Sequence, residues 1–186
     1  EDYTPFEADP DAIYDKKIVI DLGEIKPMAA KPHSPDNVDT VQNIKGVKVD
    51  QVAIGSCTNS SYTDLMKTAA ILKGKRVHPD VSLVIAPGSG NILKMMADNG
   101  ALGDLLASGA RIIEAACGPC IGMGQAPGSG GISLRTFNRN FKGRCGTDTA
   151  EVYLVSPETA AVSALTGYLT SPDATGIEQP IIELPE

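Results

Sequence analysis

Three cysteines carry the most chemistry in this sequence. Cys57 stands in Gly-Ser-Cys-Thr-Asn-Ser, and Cys117 and Cys120 form the pair in Cys-Gly-Pro-Cys-Ile-Gly. Two thiols separated by two residues, with a third far upstream, can hold three corners of a metal cluster and leave the fourth free for chemistry. An iron with an open position is a Lewis acid, so such a site would act on a substrate. Other chemistry fits the pair alone. Cys-Gly-Pro-Cys is also a thioredoxin-like dithiol, which needs a helix starting at the first cysteine to lower its pKa. The residues after Cys120, Ile-Gly-Met-Gly-Gln-Ala-Pro-Gly-Ser-Gly-Gly, cannot hold a helix, and Ala116 stands where such proteins carry tryptophan. Structural zinc asks for four Cys or His ligands; Cys145 or a histidine would have to complete the set, and no second close pair exists. Unliganded cysteines packed in loops are the plainest alternative. The glycines favour a cluster, because inorganic sulfides accept hydrogen bonds and glycine lets backbone N–H groups approach. Thr58, Asn59 and Ser60 offer further donors, or a helix cap.

A second constellation is basic. Asn138, Arg139 and Arg144 lie in Asn-Arg-Asn-Phe-Lys-Gly-Arg. The flat guanidinium fork matches a carboxylate with two donors. Two arginines five residues apart, with Gly143 to let the chain bend, can grip a di- or tricarboxylate; solvated surface arginines are the alternative. Net charge is -7, so an anionic substrate would need such a local positive patch. Cys145 reads as a bystander thiol. His33 and His78, the only histidines, sit beside turn-forming prolines and read as loop packing. The Pro87–Asn91 turn lacks the lysine and Ser/Thr of a phosphate loop. Gly122–Pro127 has proline where a dinucleotide fingerprint needs its third glycine.

Alternating strand and helix patterns must position these groups. Strands are expected at Lys17–Leu22, Val49–Ile54, Val81–Ala86, Arg111–Ala115, Ser133–Phe137 and Val152–Val155. An amphipathic helix carries Tyr62, Leu65, Met66, Ala69 and Leu72, capped by Asn59 or Ser60 and ended by Gly74. A second helix runs through Ile92, Leu93, Met95 and Met96 to Asn99-Gly100, and a short one covers Leu102–Ala107. The last opens at Ser156-Pro157-Glu158. Gly23–Lys48 reads as an ordered loop, and the acidic, proline-rich 171–186 as a linker-like tail. The pattern predicts a single α/β domain over 1–186, with a mostly parallel sheet and flanking helices in three layers. Both cysteine motifs follow strands, and ligands collect at the carboxyl ends of such strands.

The bulk composition excludes several classes. With 186 residues, 42% hydrophobic and 21% charged, the chain suits one domain with a real core. Scattered basic residues and 4% aromatics argue against a nucleic-acid surface. No apolar run reaches membrane length, and the first residues lack the features of a signal peptide. Four cysteines suit a reducing, cytoplasmic setting. A start at Glu1 without methionine, and an end at Glu-Leu-Pro-Glu, read as a segment excised from a longer chain.

Gly-Ser-Cys-Thr-Asn-Ser, then Gly-Pro-Cys-Ile-Gly, then Phe-Asn-Arg-Asn-Phe-Lys-Gly-Arg, in this order, resemble the aconitase family from roughly Pro32 to Gly167. That family includes aconitate hydratase, homoaconitase and the isopropylmalate dehydratase large subunit. The resemblance is to its third, cluster-holding domain. It implies a 4Fe-4S cluster on Cys57, Cys117 and Cys120, substrate carboxylates on Arg139 and Arg144, and Asn138 beside the cluster. It implies dehydration and rehydration of a hydroxy-tricarboxylate, with citrate and isocitrate as first choice. Gly-Pro-Cys-Ile-Gly favours aconitases over isopropylmalate dehydratases; Met-Gly-Gln-Ala-Pro departs from the common aconitase continuation. Dehydration needs a base and an acid, and the sequence offers no convincing pair. The resemblance places them on two N-terminal domains and a swivelling C-terminal domain or small subunit. The isolated segment is then expected to be inactive, and its cluster exposed to oxygen. A non-enzymatic metal-binding module is the competing class.

Overall fold

The structure, a computed structural model, describes residues 4–178 and 180–184. Its strands are β1 (Met28–Ala30), β2 (Val38–Thr40), β3 (Gln51–Gly55), β4 (Ser82–Ala86), β5 (Arg111–Ile112), β6 (Ile132–Arg135) and β7 (Glu151–Leu154). They form one sheet in the order β2-β1-β7-β6-β3-β4-β5. The ladder from β7 through β6, β3 and β4 to β5 is parallel. β1 joins β7 antiparallel, and β2 joins β1 the same way. The helices are α1 (Tyr62–Leu72), α2 (Gly90–Asp98), α3 (Ala101–Ser108) and α4 (Pro157–Thr166). The expected α/β fold with a mostly parallel sheet is therefore present.

Strand alternation divides the sheet into two unlike faces. Val52, Ile54, Leu83, Ile85 and Leu134 point to one side and pack with Leu65, Leu72, Leu105 and Val162 of the helices in the main core. On the other side Ala53, Val84, Phe137 and Cys120 form a small second cluster. Among the described residues no α-helix supplies that outer layer; the glycine-rich segment between β5 and β6 does.

Helix starts follow local chemistry. Ser61, rather than Asn59 or Ser60, caps α1 in a reciprocal box with Asp64. Ser60 is turned inward and donates to the Ser56 carbonyl, and Asn59 donates to the Thr136 carbonyl at 2.5 Å. Ser156 caps α4, with Pro157 first and Glu158 in the opening turn, as expected. Ser89 caps α2.

Four expectations need correction. Lys17–Leu22 is not a strand: Ile18, Val19 and Ile20 are exposed, and among the described residues the segment joins no ladder. A β-branched run forms a strand only when a partner edge accepts its hydrogen bonds. Gly23–Lys48 is not only loop, because β1 and β2 lie within it and extend the sheet past β7. The strand at Arg111–Ala115 stops after Ile112. The tail also begins as core rather than linker. Ser171 is buried, a short 3₁₀ turn covers Pro172–Ala174, and Ile177 packs on the main cluster. Beyond it Ile181 and Leu184 are exposed, and 179, 185 and 186 lie outside the described residues.

Candidate functional site

Parallel strands send their carboxyl ends, and the loops that follow, to one edge of the sheet. Gly55 ends β3 at φ +112°, pressed so closely on β4 that a Cβ would lie 2.0 Å from the Ala86 oxygen. Ser56 then takes a left-handed φ of 64°, rare for serine, while its N–H donates to the Ala86 carbonyl at 2.8 Å. This sharp exit turns Cys57 outward. Thr136 Oγ1 accepts from the Gly55 N–H at 2.8 Å; with the Asn59 bond, this ties the loop to the end of β6.

After β5 the chain reaches Cys117, which opens a 3₁₀ turn over Gly118–Ile121 instead of an α-helix. Cys120 is buried, and its Sγ lies 2.9 Å from Ser56 Oγ. Cys57 and Cys117 are exposed, and all four cysteines are free. Ser56, Cys57, Pro87, Gly88, Ala115, Ala116 and Cys117 line a cleft of about 160 Å³. Cys117 feels both of the other thiols. Cys117 is pushed above its ordinary pKa, first by hydrogen bonding and charge from Cys120, then by desolvation and by Cys57. Cys57 is held below its ordinary value, chiefly by its hydrogen bond with Thr58, with Ser56 and Cys117 helping against desolvation. Among the described residues no group of three or more Cys, His, Asp or Glu closes around a single metal ion. Around one tetrahedral zinc the sulfurs would stand about 3.8 Å apart, given Zn–S bonds of about 2.3 Å.

Asn138 and Arg139 follow β6 at the same edge, and both are exposed. Arg144 is half-buried, its guanidinium 5.5 Å above the Phe141 ring, and its Nε is buried without a partner. It lines a crevice with His33, Pro127, Phe141 and Cys145. Gly143 supplies the bend with φ +73°, where a Cβ would lie 2.6 Å from Asp148 Oδ1. Cys145 is buried; desolvation pushes its thiol up, against the pull of Arg135 and Arg144. Its carbonyl sits against Gly122, where a Cβ would be 3.0 Å away, so the arginine loop abuts the cysteine turn. His78 packs its ring on Gly167 after α4 and accepts from the Asp80 N–H, a structural role.

The sequence matches the family described as Aconitase family (aconitate hydratase) over residues 38–167. The chain belongs to the aconitase family. It is 45% identical over 170 residues to the 3-isopropylmalate dehydratase large subunit 1 of Methanopyrus kandleri, covering 90% of this chain and 40% of that one. It is 47% identical over 168 residues to the homoaconitase large subunit of Thermus thermophilus, covering 89% and 40%. A probable methanogen homoaconitase large subunit from Methanosarcina mazei is 47% identical over 171 residues, covering 91% and 43%. The chain thus spans about two fifths of the length of these relatives.

The sequence reading missed two buried residues of this aconitase-family site. Asn140 is fully buried and donates to the carbonyls of Lys31 and Val152, pinning the arginine loop to the antiparallel edge. Arg135, 1% exposed, lies beneath the cysteine turn. A signal for it existed: in Ser133-Leu134-Arg135 the polar side chains fall on the face opposite Leu134, which implies a polar layer there.

Proposed function

We propose that this chain is the cluster-holding domain of a hydro-lyase large subunit. The reaction is dehydration and rehydration of a hydroxy acid carrying two or three carboxylates. The relatives bear the names isopropylmalate dehydratase and homoaconitase. They favour a substrate of that kind over the citrate–isocitrate pair expected from the cysteine motif alone.

The observation that carries the reading is a shared cleft: Cys57 and Cys117 line it together with Ser56, whose Oγ lies 2.9 Å from Cys120 Sγ. Neighbouring thiolates repel unless a cation lies among them. Soft sulfur donors suit iron and sulfide, and among the described residues the cleft that Cys57 and Cys117 share is lined by no carboxylate or imidazole. The group that such a sulfur set would suit is a 4Fe-4S cluster. Cys57, Cys117 and Cys120 would hold it, and when bound it supplies Lewis-acid chemistry toward a substrate hydroxyl and carboxylate. Arg139 and Arg144 would bind carboxylates, Arg144 through the donor now buried without a partner. Asn138 would stand beside the cluster. Ser56 shares a hydrogen bond with Cys120 and would fix that sulfur's direction.

The base and acid of the reaction belong on other parts of the enzyme: two N-terminal domains, and a C-terminal swivelling domain or small subunit. The exposed apolar side chains of Phe6, Ile13, Ile18, Val19 and Ile20 support such docking. A self-sufficient metal-binding module would present a closed polar surface instead. Free cysteines throughout suit a reducing compartment such as the cytoplasm. Among the described residues no helix is long and apolar enough to cross a membrane.

Anaerobic reconstitution with iron and sulfide tests the reading. A brown chromophore is expected in the parent and absent in Cys57→Ser. An unchanged spectrum in that variant would exclude the three-cysteine site. The 186-residue chain alone is expected to show no turnover.

A further inference from the structure

Arg135 is a buried cation whose hydrogen-bond partners are all neutral. Its Nε donates to Ser133 Oγ at 3.1 Å. One terminal nitrogen donates to the Pro119 carbonyl at 2.5 Å, and the other to Gln51 Oε1 at 3.0 Å and to the Gln125 carbonyl. Ser133 also donates to Gln51 Oε1, at 2.8 Å. The guanidinium sits 5.4 Å from the centre of the Phe137 ring. Among the described residues it forms no ion pair.

Such a charge is expensive to bury, so the groups around it matter. Pro119 lies between Cys117 and Cys120, and Gln125 closes the same glycine-rich segment. Gln51 and Ser133 belong to β3 and β6. Arg135 therefore fastens the cysteine turn to the two central strands from beneath. Arg111 bonds Gly124 and Gln125, Gln51 bonds the Ala126 carbonyl and Gln125 reaches Ser82, all at the far end of the segment, whereas the Pro119 carbonyl between the two cysteines is held by Arg135. The cysteine turn is a single 3₁₀ turn, followed by left-handed glycines at 122 and 124. Burial lowers the pKa of the cation, and the charges of Cys145 and Cys120 act the other way.

We propose that Arg135 is the positioning residue of the metal site: its fork locks the Cys117–Cys120 turn in register with Cys57, and its charge offsets the negative charge of the sulfur set. This rests on the cluster reading above, although the clamp itself does not need a cluster. The planar fork distinguishes the two roles, because lysine keeps the charge and loses the several fixed donors.

The test uses the full-length protein with Arg135→Lys, Arg135→Gln and the milder Gln51→Met. Amide hydrogen exchange is read without metal, and the reduction potential after anaerobic loading with iron and sulfide. Both arginine variants should speed exchange at residues 118–125 by about tenfold or more, as expected for lost bonds to a charged donor, while β4 and α1 stay protected. Gln51→Met should give a smaller rise at the same residues; it carries the exchange test alone should the arginine variants not fold. The loaded Arg135→Gln protein should have a more negative potential than the parent, and Arg135→Lys should restore it. Unchanged exchange at 118–125 in folded variants, or a loss of protection spread evenly over the sheet, overturns the clamp. Equal potentials in the parent and Arg135→Gln overturn the charge role. A parent that never takes up iron and sulfide sinks the cluster reading and with it the charge role, and the exchange data then decide the clamp by themselves.

Discussion

Gly55→Ala is the sharpest test of how the sheet aims Cys57. At this position a Cβ would lie 2.0 Å from the Ala86 oxygen and 2.9 Å from its carbon, both backbone atoms. Neither can swing aside, so β3 and β4 must separate by about 1.5 Å to reach an ordinary contact. That separation weakens the 2.8 Å bond from the Ser56 N–H to Ala86, worth about 1 kcal/mol. The positive φ adds about 1–3 kcal/mol for any residue with a Cβ, and the forced fit about 1–3 kcal/mol. The sum is roughly 3–7 kcal/mol, against a total stability of about 5–15 kcal/mol for a domain. At about 2–4 °C per kcal/mol for a chain of this size, the melting temperature should fall by roughly 6–28 °C. Gly74→Ala is the control. Gly74 has φ +69° and nothing within 4 Å of a built Cβ, so only the backbone term applies, about 1–2 kcal/mol. Thermal unfolding followed by circular dichroism compares them. A fall for Gly55→Ala no larger than for Gly74→Ala would refute the idea that contact with Ala86 dictates glycine here.

Two further outcomes are expected. Arg139→Ala should leave unfolding within about 0.5 kcal/mol, because the side chain is exposed. In the full-length enzyme Arg139→Ala and Arg144→Ala should each lower kcat/KM by about 100-fold or more, and retained activity in both would remove the carboxylate-binding assignment. Burial alone would raise the Glu158 carboxyl, but hydrogen bonds from its own backbone, Lys67 and Ser156 hold it below the ordinary value. Its folded pKa is therefore depressed. The stabilisation, about 0.5–1 kcal/mol at the opening of α4, is present above the ordinary carboxylate pKa and disappears as pH falls through the folded one. Urea midpoints of the parent and Glu158→Gln should differ at neutral pH and converge in acid; a constant gap would contradict this.

The legible parts of the fold are those whose cause is local. Ser156-Pro157-Glu158 carries its own start signal, and β3 and β4 announce themselves as apolar runs before turns. The spacing of Cys57, Cys117 and Cys120, each following a strand, was enough to place them at one edge. What the sequence conceals is long-range. Met28–Ala30 has little strand character of its own and pairs through Ala30 with Leu154, more than a hundred positions later. Lys17–Leu22 has that character in abundance but no neighbouring edge. Asn140, not Asn138, is the buried anchor of the arginine loop, because its amide meets two carbonyls that only the folded chain assembles. Gly143 was legible as a bend, and its φ of +73° is the left-handed backbone that favours glycine there.

The two faces of the sheet divide the work of the domain. The helix face holds nearly all the large buried apolar side chains, so global stability originates there. The opposite face holds the small second cluster and most of the local costs: a left-handed serine, a glycine jammed against a neighbouring strand, and a buried guanidinium without a carboxylate. None of these improves packing. Each fixes the direction of a loop that carries a sulfur or precedes one. Strain and buried charge persist where surrounding structure over-determines them, and here β3, β4 and β6 supply that support from below. Substitutions in the helix-facing core, Leu65 or Leu134, should therefore weaken the whole domain, whereas those at Ser56 or Arg135 should loosen chiefly the sulfur-bearing loops.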